Sequence, residues 1–337
     1  MGAKDMASGG TAFLTGATGF VGSHVARALA GRGWSVRALV RERSRGRSAL
    51  LAPDPRIQQV AGDLSGATDL SAAIAGAGAI VHVAGLTRAR TLAEYRAVNA
   101  AGTARVVEAA RRVSPDALFV LVSSQAAAGP AREGEPVREG DPARPVSWYG
   151  ASKLEAEEAV RTGWPGPWIV LRPSVVFGPG DRGLFILFRA AARGLLPVPA
   201  GATRVQVIRA ERAADAIARA AGRPDLAGRT AFLADPEPIS TRALSEAIAE
   251  LPPKRPRLVP VPPFLIRLAG ASQTVVEAIT RRSRPFNADK AREILAGDWV
   301  CDPGPILREL GVPPAPPLPQ ELAETWDWYV RQGWLTL

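Results

Sequence analysis

Apolar positions along the first half of the chain fall into short runs, some interrupted by a polar residue, separated by longer amphipathic stretches. Ala12 to Thr15, Ser35 to Val40, Ile57 to Val60, Ala79 to Gly85, Ala117 to Val122 and Trp168 to Pro173 are runs of strand length and strand composition. The run at Ala117 to Val122 is apolar throughout, the mark of a strand buried on both faces. Between these runs the spacing is helical. Val21, Val25, Ala28 and Leu29 share one face of a helix running to Ala30, and a helix is expected to begin near Ala67. A long helix is predicted from Leu92 to Arg112, broken at Asn99 to Thr103, and another from Ser147 to Glu158. Regular strand–helix alternation predicts βαβ units and a parallel sheet.

Beyond Pro173 the alternation becomes irregular and proline-rich. Val175 to Gly180 continues past the sixth strand, and Thr230 to Ala234 has the character of one more. Residues 129–145, rich in glycine, proline and charge, form a surface loop. Leu251 to Pro263 is expected to be a connector without an element of its own. A short helix starts at Asp289, and a last helix spans Leu318 to Gly333, with Trp326, Trp328, Tyr329 and the following Trp334 as packing residues. The domain expectation follows: residues 1–10 as a loose tail and 11–175 as a nucleotide-binding domain. Helix 205–221 and strand 230–234 return to that domain, and 176–204 with 236–337 form a smaller substrate-binding region. The fold class is α/β, a Rossmann-type doubly wound parallel sheet with this smaller C-terminal region.

Composition narrows the picture. At 337 residues and 47% hydrophobic, the chain can bury a sizeable core. Cys301 stands alone, so no internal disulfide forms, which suits a reducing cytoplasm. No apolar run reaches membrane-spanning length and the N-terminal stretch lacks the apolar centre of a signal peptide, so no membrane partner is expected. The net charge of +10 is almost all arginine. The densest patches, Lys254-Arg255-Pro256-Arg257 and Arg281-Arg282-Ser283-Arg284, lack interleaved aromatics, which argues against nucleic acid. Two histidines and one cysteine give no metal-ligand cluster.

The glycines Gly16, Gly19 and Gly22 change the picture most, because they lie between the first strand and the first helix. There Gly16 permits a tight turn, Gly19 lets backbone approach a diphosphate, and Gly22 lets helix and strand pack closely. The diphosphate would sit at the positive helix end. An acidic residue at the end of the second strand would hold adenosine ribose hydroxyls, but Val40 stands there, followed by Arg41. A guanidinium clamps a 2′-phosphate, so NADP(H) is favoured over NAD. Asp63 can accept from the adenine amino group or cap the helix near Ala67. Val83, Ala84 and Gly85 are small where backbone must approach the cofactor. His82 reads as a packed histidine. Asn99 either holds a local kink or orders water.

Several motifs together resemble the extended short-chain dehydrogenase/reductases: TGATGFVGSH at 15–24, GDL at 62–64, HVAG at 82–85, NAAGT at 99–103, SSQAAAG at 123–129, YGASK at 149–153 and LRPSVVFGPGD at 171–181. The resemblance covers nearly the whole length. It implies Tyr149 as acid/base, Lys153 to lower the phenol's pKa and bind the nicotinamide ribose, and Ser124 to hydrogen-bond the reacting oxygen, with Ser123 as the competing serine. Thr18, Phe20, Val21, Leu64, Pro173 and Val176 complete the cofactor-binding set. Unaided chemistry agrees: an ammonium one helical turn from a phenol stabilises its phenolate. The implied activity is interconversion of a ketone or aldehyde and its alcohol. Rival readings are a nucleotide-sugar epimerase or dehydratase, and a non-catalytic cofactor-sensing regulator. Ser124-Gln125-Ala126 lacks the acids of family dehydratases, Ala128 replaces the aromatic usual in epimerases, and Arg209-Ala210-Glu211-Arg212 replaces a common His-Val-Asp-Asp. The resemblance also implies a homodimer through the alanine-rich faces of the helices at 92–112 and 148–162.

Overall fold

The computed structural model describes residues 10–42, 44, 51, 53–66, 68–132, 134–201 and 203–336. Residues 1–9 of the expected tail and the helix start at Ala67 lie outside the described residues.

Seven strands form one sheet: β1 (Thr11–Thr15), β2 (Ser35–Val40), β3 (Ile57–Ala61), β4 (Ala79–His82), β5 (Leu118–Val122), β6 (Trp168–Pro173) and the late Arg229–Leu233, which is β11. Their order is β11-β6-β5-β4-β1-β2-β3. Every neighbouring pair is parallel, with Ala12 opposite both Val36 and Ala79 at the centre. Parallel neighbours need crossovers, and helices on both faces supply them. On one face α1 (Phe20–Gly31) lies beside α7 (Ala210–Ala220), burying Val25, Leu29 and Ile217 against Leu14 and Val81. On the other, the single turn α2 (Ser71–Ile74), α3 (Leu92–Val113) and α5 (Trp148–Gly163) bury Ile74, Val106 and Val160 against Phe13, Ile80 and Phe119. The one-turn α4 (Gln125–Ala128) follows β5.

The remaining elements are β7 (Val175–Phe177), α6 (Phe185–Ala192), β8 (Leu195–Pro199), β9 (Arg204–Val205), β10 (Val207–Arg209), β12 (Ile239–Ser240), α8 (Thr241–Ala249), β13 (Arg257–Val261), α9 (Pro263–Thr280), α10 (Ala288–Ile294), α11 (Gly304–Glu309) and α12 (Leu318–Arg331). Most of them form a second cluster of their own, whereas α11 packs beside α7 on the sheet, with Ile306 and Leu307 in that face's core. The core of the second cluster is aromatic: Phe188, Trp326 and Tyr329 pack with Leu196, Leu244 and Leu322.

Three expectations are corrected. The long helix is not broken at Asn99 to Thr103: α3 is continuous, because packing along α5 outweighs the low propensity of that stretch, and Thr103 Oγ1 donates back to the Asn99 carbonyl at 2.6 Å. Leu251 to Pro263 is not only a connector, since β13 pairs in parallel with β8; Pro260 is tolerated because the ribbon has two strands and a free edge. Finally, the irregular, proline-rich stretch beyond Pro173 holds the regular elements α6, β8, α8 and α9.

Candidate active site

Strand order reverses between β1 and β4, and in such sheets the crevice at the carboxyl ends there takes the ligand. β1 runs directly into Gly16. Helix α1 then begins at Phe20 with no side chain capping it and no acidic residue in its first turn. Its terminal N–H groups are thus left for an anion. Gly16 has φ +77, and a Cβ there would meet the Ala84 amide nitrogen at 2.7 Å. A Cβ on Gly22 would lie 2.0 Å from the Gly16 carbonyl oxygen, while Gly19 N donates to that oxygen at 2.8 Å. Only glycines close this cradle, and the donor set fits a dinucleotide diphosphate. Thr18, Phe20 and Val21 are half-buried at its rim.

The other expected cofactor residues distribute along the same edge. Arg41 follows β2 directly and is exposed, its carbonyl accepting from Ser44 N at 2.8 Å. Asp63 Oδ1 accepts from Ser65 N at 2.8 Å and from Ser65 Oγ at 2.5 Å. It does not cap the next helix; Asp69 accepts the Ser71 N–H there, at 2.9 Å. Leu64 gives its carbonyl to Arg105. Val83 and Ala84 are half-buried after β4 and Gly85 is exposed; Pro173 is buried at the end of β6, and Val176 pairs with Ile208. His82 is fully buried, with Nδ1 bonded to Thr15 Oγ1 at 2.7 Å and Nε2 to Thr103 Oγ1 at 3.0 Å. Burial pushes its pKa down to about 3, so the ring is neutral.

Ser124, Tyr149 and Lys153 come together. Ser124 begins α4 where β5 ends, its Oγ accepting from Ala126 N at 3.2 Å. Tyr149 lies in the first turn of α5, with the Ser124 hydroxyl near enough to its phenol to lower the phenol's pKa. Lys153, one turn on and 3% exposed, donates from Nζ to the Val122 carbonyl at 2.8 Å. The competing Ser123 points elsewhere: its Oγ donates to Glu157 Oε1 at 2.6 Å. That carboxylate also accepts from Arg172 Nε at 2.9 Å, Arg172 Nη2 at 2.8 Å and Arg161 Nη2 at 2.7 Å.

Electrostatics differ in one respect from the sequence expectation. Burial dominates at Tyr149 and pushes the phenol up to about 12, against the lowering effect of the Ser124 hydroxyl. Burial also pushes Lys153 down to about 8, opposed by the Glu157 charge. At neutral pH the phenol therefore keeps its proton and the lysine remains mostly cationic.

Sequence reasoning missed the groups that hold this helix in place. Asp289, from α10, accepts from Trp148 N through Oδ1 at 2.9 Å and through Oδ2 at 3.1 Å, and Glu293 accepts from Ser147 Oγ at 2.6 Å. These are carboxylates at a helix N-terminus, supplied from about 140 residues away. Both carboxylates lie in the stretch Phe286 to Leu295, where only the expected helix start at Asp289 gave a signal, and nothing there names the partner. Asn99 holds no kink: Oδ1 accepts from Leu86 N at 2.7 Å and Nδ2 donates to Ser152 Oγ at 2.8 Å, joining the segment after β4 to α5. Tyr95 places its ring 5.9 Å from that of Tyr149.

Sheet, glycine cradle and Ser–Tyr–Lys cluster define a nicotinamide-dependent short-chain dehydrogenase/reductase of the extended type. The chain belongs to the NAD dependent epimerase/dehydratase family, whose model matches residues 12–231. It is 36% identical over 327 residues to a ceramide reductase of Caulobacter vibrioides, covering 97% of this chain and 96% of that one. It is 28% identical to a UDP-glucose 4-epimerase of Vibrio cholerae, over 76% and 80% of the two chains. Its fold matches a UDP-glucuronic acid 4-epimerase from Bacillus cereus solved with UDP-glucuronic acid and NAD, with TM-score 0.76, 19% identity, and 96% and 99% coverage. The protein is thus an NAD(P)-dependent enzyme of the reductase/epimerase kind.

Proposed function

We propose that the protein is an NADP(H)-dependent reductase that converts a ketone on a long-chain, ceramide-like lipid to the alcohol. The observation that carries the reading is Tyr149 and the buried Lys153 one turn apart on α5, beside Ser124 at the end of β5. Bound NADPH supplies the hydride. Gly16, Gly19 and Gly22, with the amides of Thr18, Phe20 and Val21, hold the diphosphate, and Arg41 takes the 2′-phosphate. Asp63 and Leu64 flank the adenine, while Val83, Ala84, Gly85, Pro173 and Val176 line the path to the nicotinamide. Ser124 orients the substrate oxygen. Tyr149, protonated because burial raises its pKa, gives that oxygen its proton. Lys153 holds the nicotinamide ribose and carries the positive charge that favours proton release.

The ceramide reductase relationship, which spans both chains nearly end to end, supports reduction and a lipid substrate. The absence of dehydratase acids at Gln125 and Ala126, and Ala128 in place of an aromatic, supports the same choice. The epimerase likeness sustains the second reading, in which the same cluster returns a hydride to a nucleotide sugar. We place the cofactor on residues 11–175, 205–221 and 230–234, and the substrate on 176–204 and 236–337. The test is a screen of NADPH oxidation against ketones of ceramide type, sterol ketones and nucleotide sugars. Oxidation with a long-chain ketone is expected. Turnover of a nucleotide sugar alone contradicts the proposal.

A further inference from the structure

We infer that the outward face of α9 docks the protein on an anionic phospholipid bilayer. Phe264, Leu268, Val275 and Ile279 recur at helical spacing and form one stripe. They are 64%, 64%, 58% and 76% exposed. The opposite side is buried and holds Ile266, Gly270 and Glu277. Glu277, 1% exposed, accepts from Arg284 N at 2.5 Å and Asn287 Nδ2 at 3.2 Å. Gly270 lets α10 lie close, since a Cβ there would meet that of Ala291 at 2.8 Å. The helix therefore turns its carboxylate inward and its apolar side outward, the reverse of a helix that ends at water. A patch of this kind marks an interaction surface.

Charge identifies the occupant. Lys254, Arg255 and Arg257 precede the helix, Arg267 lies on it, and Arg281, Arg282 and Arg284 follow it, all exposed. From residue 254 to 284 the only acid is the buried Glu277. A second copy placed on this face would bring arginines against arginines, because a two-fold contact repeats the same patch on both sides. An apolar helix face bordered by basic residues instead suits the boundary between acyl chains and anionic headgroups. No helix among the described residues is long and apolar enough to cross a membrane, and docking in the interface requires none. The two basic patches thereby acquire a role that nucleic acid does not give them.

The experiment is co-sedimentation of the full-length protein with vesicles of phosphatidylglycerol and phosphatidylcholine in equal parts, and with phosphatidylcholine alone. Binding to the anionic vesicles is expected, weakening as salt rises. The double variant Leu268→Glu with Val275→Glu should bind about tenfold more weakly or worse. Neutralising Arg281, Arg282 and Arg284 to serine should cost about fivefold per charge. Unchanged thermal midpoints and NADPH affinity establish that both variants are folded. The inference is overturned by wild-type protein left in the supernatant, by equal binding to neutral vesicles, or by a Leu268→Glu/Val275→Glu variant that binds like wild type. A wild-type protein that ignores vesicles, but loses mass in light scattering when Leu268 and Val275 are changed, would make the face a contact between copies. None of these readouts depends on the reductase reading, so either can fail alone.

Discussion

Replacing Glu157 by glutamine tests the account of the site's foundations. Glu157 has no exposed surface and Arg172 is 3% exposed, so water screens their pairing little. Its carboxylate receives Arg172, Arg161 and Ser123, at 2.6 to 2.9 Å. Glutamine keeps the shape but leaves the Arg172 guanidinium buried without its countercharge. Breaking a buried pair from one side costs about 3–5 kcal/mol, so that loss is expected in urea unfolding at pH 7. The double variant Glu157→Leu with Arg172→Met should recover most of it, because no charge is then stranded. The pairing with Arg172 and Arg161 and the Ser123 hydrogen bond outweigh burial and hold the Glu157 pKa below its usual value. Its contribution is therefore complete above the unfolded glutamate range and fades as pH falls through the lower folded value. Wild type and variant should converge in stability in acid and separate towards neutrality. Because the Glu157 charge supports protonation of Lys153, the variant should also lose NADPH affinity at a lower pH than wild type. A cost below about 1 kcal/mol at pH 7, or a double variant no better than the single, would refute the reasoning.

Other expectations concern the cofactor and the assembly. Gly22→Ala should abolish cofactor binding while leaving the chain folded, since its Cβ would lie 2.0 Å from the Gly16 carbonyl oxygen; wild-type affinity in fluorescence titration would count against the cradle. Arg41→Ala should weaken NADP(H) by about 1.5–3 kcal/mol and leave NAD(H) nearly unchanged, and equal losses for both would remove the 2′-phosphate role. A homodimer through the outer faces of α3 and α5 is expected by light scattering, and a monomer at micromolar concentration contradicts it.

The first half of the fold was legible because its central strands β1, β4 and β5 are buried on both faces and so read as apolar runs, while the edge strand β3 is half-exposed. The glycine spacing was legible because a single strand–turn–helix carries it. Tyr149 and Lys153 were legible for the same reason, lying one turn apart on one helix. What escaped the sequence depends on partners distant along the chain. Glu157 draws the Ser123 hydroxyl to itself, and Asp289 reaches the Trp148 amide across 141 residues. β13 was hidden by prolines that a two-stranded ribbon tolerates. α9 was hidden because its apolar side faces outward, so its pattern belongs to no core inside the chain.

The central claim is that Tyr149 delivers a proton while the hydride leaves the cofactor for good. The most direct measurement follows NADPH absorbance and product together, in wild type and in Tyr149→Phe, with a long-chain ketone and with a nucleotide sugar. The account predicts one NADPH oxidised per alcohol formed from the ketone. It also predicts loss of turnover in Tyr149→Phe with NADPH binding nearly intact, because only a hydroxyl is removed and the ring remains packed. Product from a nucleotide sugar without net NADPH consumption, or undiminished ketone reduction by Tyr149→Phe, would contradict it.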